Sequence, residues 1–186
     1  MINIKTMNTI PFCDECNFEK NAARSGQLDC LDEKGCPWDT GDCNRAARNG
    51  HIECLKYLHE KGCPWDEQAC SYAAEKGHLD CLEYLHENGC PWNESACAHA
   101  AVNGHLECLK YLHKNGCPWD NWACVIAAKN GHLEILEYLH ENGCPCDDLA
   151  CTAAAENGHL KCLDYLHKKR SNVEGNLLPP SAAATS

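Results

Sequence analysis

The chain has 186 residues, 44% of them hydrophobic, enough for one domain or one short repeat array with a core. Its net charge of -11, histidines neutral, sets it against a nucleic-acid backbone or an anionic membrane surface, both of which would repel it. There is no run of about 18 apolar residues to cross a membrane, and the opening from Met1 to Met7 lacks the basic-then-apolar pattern of a secretory signal, so the expected compartment is the reducing cytoplasm.

The first segment, residues 1–17, holds Cys13-Asp14-Glu15-Cys16. A C-x-x-C pair is half of a zinc site; with no matching second pair, a solvated or cap-packing role outweighs metal here. Residues 18–34 keep Ala22-Ala23 and Gly26-Gln27-Leu28-Asp29-Cys30-Leu31, a shortened version of the pattern that follows, and read as a degenerate capping repeat.

From Gly35 the chain is periodic. Gly-Cys-Pro begins at Gly35, Gly62, Gly89, Gly116 and Gly143, 27 residues apart each time, which divides 35–169 into units 35–61, 62–88, 89–115, 116–142 and 143–169. A fixed period of this size marks stacked supersecondary units. Counting repeat positions from that glycine, Asp39, Asp66, Asn93, Asp120 and Asp147 are placed to cap a first helix. This helix runs through the Ala-Cys and Ala-Ala pairs to Gly50, Gly77, Gly104, Gly131 and Gly158. A second helix starts at the following His-Leu or His-Ile and ends before the next Gly-Cys-Pro, whose proline blocks continuation. The last helix is expected to run out around Lys168-Lys169-Arg170, and 170–186 to be a mostly disordered tail containing Leu177-Leu178 and Pro179-Pro180.

Helical projection gives the faces. In the first helix Ala69, Cys70, Ala73 and Ala74 share one side, small enough for close helix approach; in the second, Leu79, Cys81, Leu82 and Leu85 face inward while Asp80, Glu83 and Glu87 face out. No unit could bury such a face alone, so stacking must make the core continuous.

Ala-Ala-x-x-Gly-His-Leu-Glu-x-Leu-Lys-Tyr-Leu-His-x-x-Gly, as it stands from Ala100 to Gly116, resembles the helical half of an ankyrin repeat, and the resemblance covers roughly 18–169. It implies an all-α, helix-turn-helix solenoid that binds protein through a concave face. Ankyrin repeats run about 33 residues, so the 27-residue units lack residues where that family has its projecting hairpin, and shortened loops are expected. The Thr-Pro-Leu-His entry of that family is replaced by Ala-Cys. Short Gly-Cys-Pro-Trp units of this kind are similar to those of large DNA viruses and some protists, which would place the protein in a host cytoplasm.

The 18 cysteines invite a metal reading. Equivalent cysteines of adjacent units are separated by a helix spacing of ~8–10 Å, too far to share an ion, so most read as small core fillers, and a zinc or redox role is the alternative. Histidines repeated five times at equal spacing argue for architecture; His51, His78, His105, His132 and His159 are placed to bond the next unit's loop. Trp38, Trp65, Trp92 and Trp119 read as plugs between units, with Cys146 in the fifth place predicting a looser last joint. No phosphate loop, nucleophile elbow or unique carboxylate pair is present, so no catalysis and no cofactor are expected.

Recognition is expected where the units differ. The first-helix positions opposite the core grade from polar to apolar along the array, and the residues expected to meet a protein partner are Arg45, Tyr72, His99, Val102, Trp122, Val125, Ile126, Lys129 and Leu149. The expected molecule is a monomeric adaptor for a protein of unknown identity.

Overall fold

A computed structural model describes residues 23–26 and 38–175; Cys13, Cys16 and the tail after Gly175 lie outside the described residues. Among the described residues ten complete helices follow one another in pairs: α1 (Thr40–Asn49) and α2 (Ile52–Glu60), α3 (Glu67–Lys76) and α4 (Leu79–Glu87), α5 (Glu94–Val102) and α6 (Leu106–Lys114), α7 (Asn121–Asn130) and α8 (Leu133–Glu141), α9 (Asp148–Glu156) and α10 (Leu160–Gly175). There is no strand among the described residues, and the segments 61–66, 88–93, 115–120 and 142–147 are short turns. This is the all-α repeat solenoid with shortened loops that the spacing predicts.

The starts and stops are local chemistry. Asp66, Asn93, Asp120 and Asp147 accept the backbone N–H of Gln68, Ser95, Trp122 and Leu149 at 3.0–3.1 Å, each satisfying a donor that the helix leaves free. In the first unit Asp39 is part of a capping box with Asp42, whose carboxylate takes the Asp39 N–H at 2.9 Å. α1, α3 and α7 end on Gly50, Gly77 and Gly131 at φ of 73–76°, a left-handed turn in which the glycine and following histidine N–H groups recover the last free carbonyls.

First helices pack extensively on first helices, whereas second helices touch one another sparsely. The cause is side-chain size. The Ala and Cys pairs of α3, α5 and α7 are fully buried, and so are Leu55, Leu58, Leu82, Leu85, Leu109, Leu112, Leu136 and Leu139 on the second helices. Leu79 is only half-buried, although the helical projection turns it inward. Ala23 is fully buried in the same core, and the Arg24 carbonyl accepts His51 Nε2 at 2.9 Å, as Val102 accepts His132 at 3.1 Å.

One boundary and one contact differ from expectation. α10 does not stop at Arg170 but runs to Gly175, with Arg170 ion-paired to Asp148 on α9. The inter-helix histidines reach back to the preceding unit's first helix, not forward to the next loop. The glycine explains this: a Cβ on Gly50 would stand 2.5 Å from the His78 ring, so only glycine leaves room for the following unit's imidazole.

Candidate functional site

The variable face is carried on the outward sides of α1, α3, α5, α7 and α9. Trp122 is 56% exposed and Leu149 54%, on adjacent helices, with Ile126 half-buried beside the core and Lys129 exposed. Tyr72 and His99 are half-buried and line one shallow cleft of about 340 Å³ together with Ser71, Asn93 and Ser95. Arg48 lies 5.3 Å above the Tyr72 ring, a cation–π contact. His99 Nδ1 is 2.7 Å from the Ser95 carbonyl, so the ring is turned back on its own helix. Val102 is half-buried.

Two of the expected residues are differently placed. Val125 is 7% exposed and belongs to the core, so it is not available on the surface. Its repeat position is also buried at Asn44 and Ser71. A first helix inside the array has a neighbour on each side, so its buried arc is wider than a single stripe. Arg45 is held by Asp42 at 2.5 Å and by Asp39 at 3.8 Å, which spends its charge on the first unit's own cap. Asp42 is itself buried where later units carry alanine, a charged core position that the consensus reading passes over.

The recurring side chains form the joints. Trp65 lies flat on His59 with ring centroids 3.9 Å apart, Trp92 on His86 at 3.9 Å and Trp119 on His113 at 4.0 Å. Tyr84, Tyr111 and Tyr138 close each stack edge-on, and His86 and His113 hydrogen-bond Tyr111 and Tyr138 through Nδ1 at 3.1 and 2.8 Å. The tryptophans are therefore half-buried stacking plates between units rather than fully enclosed plugs.

Cysteines clasp the same joints. Cys63, Cys90, Cys117 and Cys144 each donate to the carbonyl of the preceding unit's capping residue, Asp39, Asp66, Asn93 and Asp120, at 3.1–3.3 Å. Cys43 Sγ is 3.2 Å from Cys63 Sγ, and that contact together with burial pushes the Cys43 thiol far up. Non-equivalent cysteines thus meet where equivalent ones cannot. At the fourth joint Cys124 and Cys146 are disulfide-bonded, a pairing that the core-filler reading did not expect. Among the described residues no three His, Cys, Asp or Glu side chains converge on a common point as a metal would require. Also among them, no helix is long and apolar enough to cross a membrane.

Comparison with known proteins agrees with this architecture. Two family models match, one described as ankyrin repeats in three copies over 43–123 and one as ankyrin repeats in many copies over 122–167. No curated protein matches the chain. Among solved structures it is similar to the human ASB11 ankyrin repeat domain, with a TM-score of 0.69 at 20% identity over 81% of this chain and 82% of that one. The family matches run unbroken from 43 to 167, and the chain belongs to the ankyrin-repeat family, whose repeats are in general modules for protein–protein interaction.

Proposed function

We propose that the protein is a cytoplasmic, non-catalytic adaptor that holds a protein partner on the face formed by its first helices. Close packing of those helices through alanine and cysteine, against sparse contact between the second helices, supports reading their row as the inner arc of the solenoid. One observation carries the reading: Trp122 and Leu149 stand more than half exposed on adjacent first helices, beside Ile126 and Lys129. A large indole left in water next to a second large apolar side chain is what an interface anchor requires. Val102, Tyr72 and His99 extend the same face toward a polar N-terminal end, where Arg48 is exposed.

The test is the pair Trp122→Asp and Leu149→Asp, chosen because both side chains are exposed and neither supports the core. Partner capture from native-cell extract should fall by a factor of roughly 30 or more, as loss of an interface anchor does. The melting temperature should shift only as a surface change does, by about 0.5 kcal/mol or less in stability. Undiminished capture would remove the reading.

A second reading, a thiol-responsive scaffold, is favoured by the 3.2 Å contact of Cys43 with Cys63. With oxidised glutathione the two thiols would form one disulfide, releasing two reduced glutathione molecules and leaving no net proton. Peptide mapping after such treatment would show a Cys43–Cys63 crosslink, and its absence would end this reading.

A further inference from the structure

The fourth joint departs from the other three. At the first three, a tryptophan lies flat against a histidine, and a tyrosine meets that histidine edge-on. At the fourth, His140 and Tyr165 keep the edge-on geometry, with centroids 5.8 Å apart and planes at 87°, close to the 5.8–6.0 Å and 79–85° of the others. The indole that lies against the histidine at the other joints is missing. Cys146 occupies its place in the sequence and is bonded into the joint through Cys124. A cleft of about 250 Å³ opens there, lined by His140, Cys146, Cys151, Leu166 and Lys169 among others.

We propose that this cleft is a binding site for the side chain of a tryptophan presented by a partner polypeptide. The molecule supplies its own template for the ligand. The same histidine face and the same edge-on tyrosine receive an indole three times along the chain, at 3.9–4.0 Å. His140 and Tyr165 are already set at the angle that an indole needs, so no rearrangement has to precede entry. An entering indole removes its own apolar surface and the face of His140 from water together, and gains the offset stacking that the other joints display. Cys151 and Leu166 supply apolar lining, and Lys169, 5.3 Å from the Tyr165 ring centroid, adds a cation at the rim. Aliphatic side chains would leave the flat histidine face without a stacking partner, which gives the site its preference for a planar aromatic group.

The site does not depend on the first-helix face as the adaptor surface. The experiment titrates N-acetyl-tryptophanamide into the full chain and follows the ring signals of His140 and Tyr165 by NMR. The expected result is saturable shifts with a dissociation constant of roughly millimolar or tighter, and none with N-acetyl-leucinamide. Cys146→Trp fills the cleft with the residue that the other joints use, and should weaken binding at least about tenfold. Cys124→Ala opens the same disulfide from outside the cleft and leaves the cleft empty, and should bind as the parent does. Absence of saturable shifts, or equal binding by Cys146→Trp, overturns the proposal. So does concentration-dependent self-association abolished by Trp122→Ser, which would make the occupant a second copy of this chain.

Discussion

Glycine and cysteine show most clearly what single residues do here. Gly50 and Gly62 have φ of +73° and +80°, yet a Cβ on Gly50 meets the His78 ring and one on Gly62 meets nothing within 4 Å. Gly62→Ala should cost about 1 kcal/mol for the left-handed backbone alone; Gly50→Ala should cost at least about 2 kcal/mol because the ring must also move. Urea titration of the two variants compares them directly, and equal costs would contradict the histidine contact. The thiols set a second expectation. Burial pushes Cys81 up to about 12 and Cys108 to about 11 from an ordinary value of 9.0, with nearby Asp80 acting the same way. The folded state then keeps protons that the unfolded chain releases above pH 9, so stability is complete below that pH and falls as pH rises toward 11–12. Burial of Tyr84, Tyr111 and Tyr138 works in the same direction. Thermal melts should drop progressively above pH 9; a level profile would show that these thiols are not enclosed.

Helix boundaries were legible in the sequence because each is a local event. An Asp or Asn before the helix and a glycine after it act within one turn, and the observed caps at Asp66, Asn93, Asp120 and Asp147 follow. Asp120→Ala should therefore cost about 1 kcal/mol, seen as a lowered denaturation midpoint, and Asp120→Asn much less. The end of α10 was not legible in the same way: nothing between Arg170 and Gly175 breaks a helix, and the basic residues that suggested a terminus instead sit within it, Arg170 gripping Asp148. Val125 was misread for a related reason. A projection of one helix shows a core side and a free side, but not the flanks that two neighbouring helices cover, and that is where its repeat position falls. Trp122, Leu149 and Lys129 project away from both neighbours and are exposed as expected.

The whole array adds contacts that no single unit contains. The His–Trp–Tyr stacks draw a histidine from one unit and two rings from the next, so they emerge only once the units' relative placement is known. The inter-helix histidines also form a row. Burial, then the charge of His78, lowers the His105 imidazole below its ordinary 6.5. A base depressed by folding contributes stability above its unfolded value and loses it as pH falls through the folded one. Stability should accordingly decline as the solution is acidified below pH 6.5, and His105→Gln should soften that decline. An unchanged acid limb in the variant would assign the effect elsewhere. The disulfide binds the last unit to the fourth across 22 residues, a closure of about 3 kcal/mol. Reduction should speed amide exchange in α9 and α10 while leaving α3 to α6 unaffected.

The second and third units each carry the histidine that receives one neighbour's ring at the end and a ring for the opposite neighbour near the beginning, both within the same 27 residues. Unequal crossing-over between the corresponding gene segments would therefore lengthen or shorten the protein by whole units whose new junctions already match. Loss or duplication of the Cys146 unit differs: it would move, remove or multiply the junction that lacks its ring, and with it the reach of whatever that junction holds.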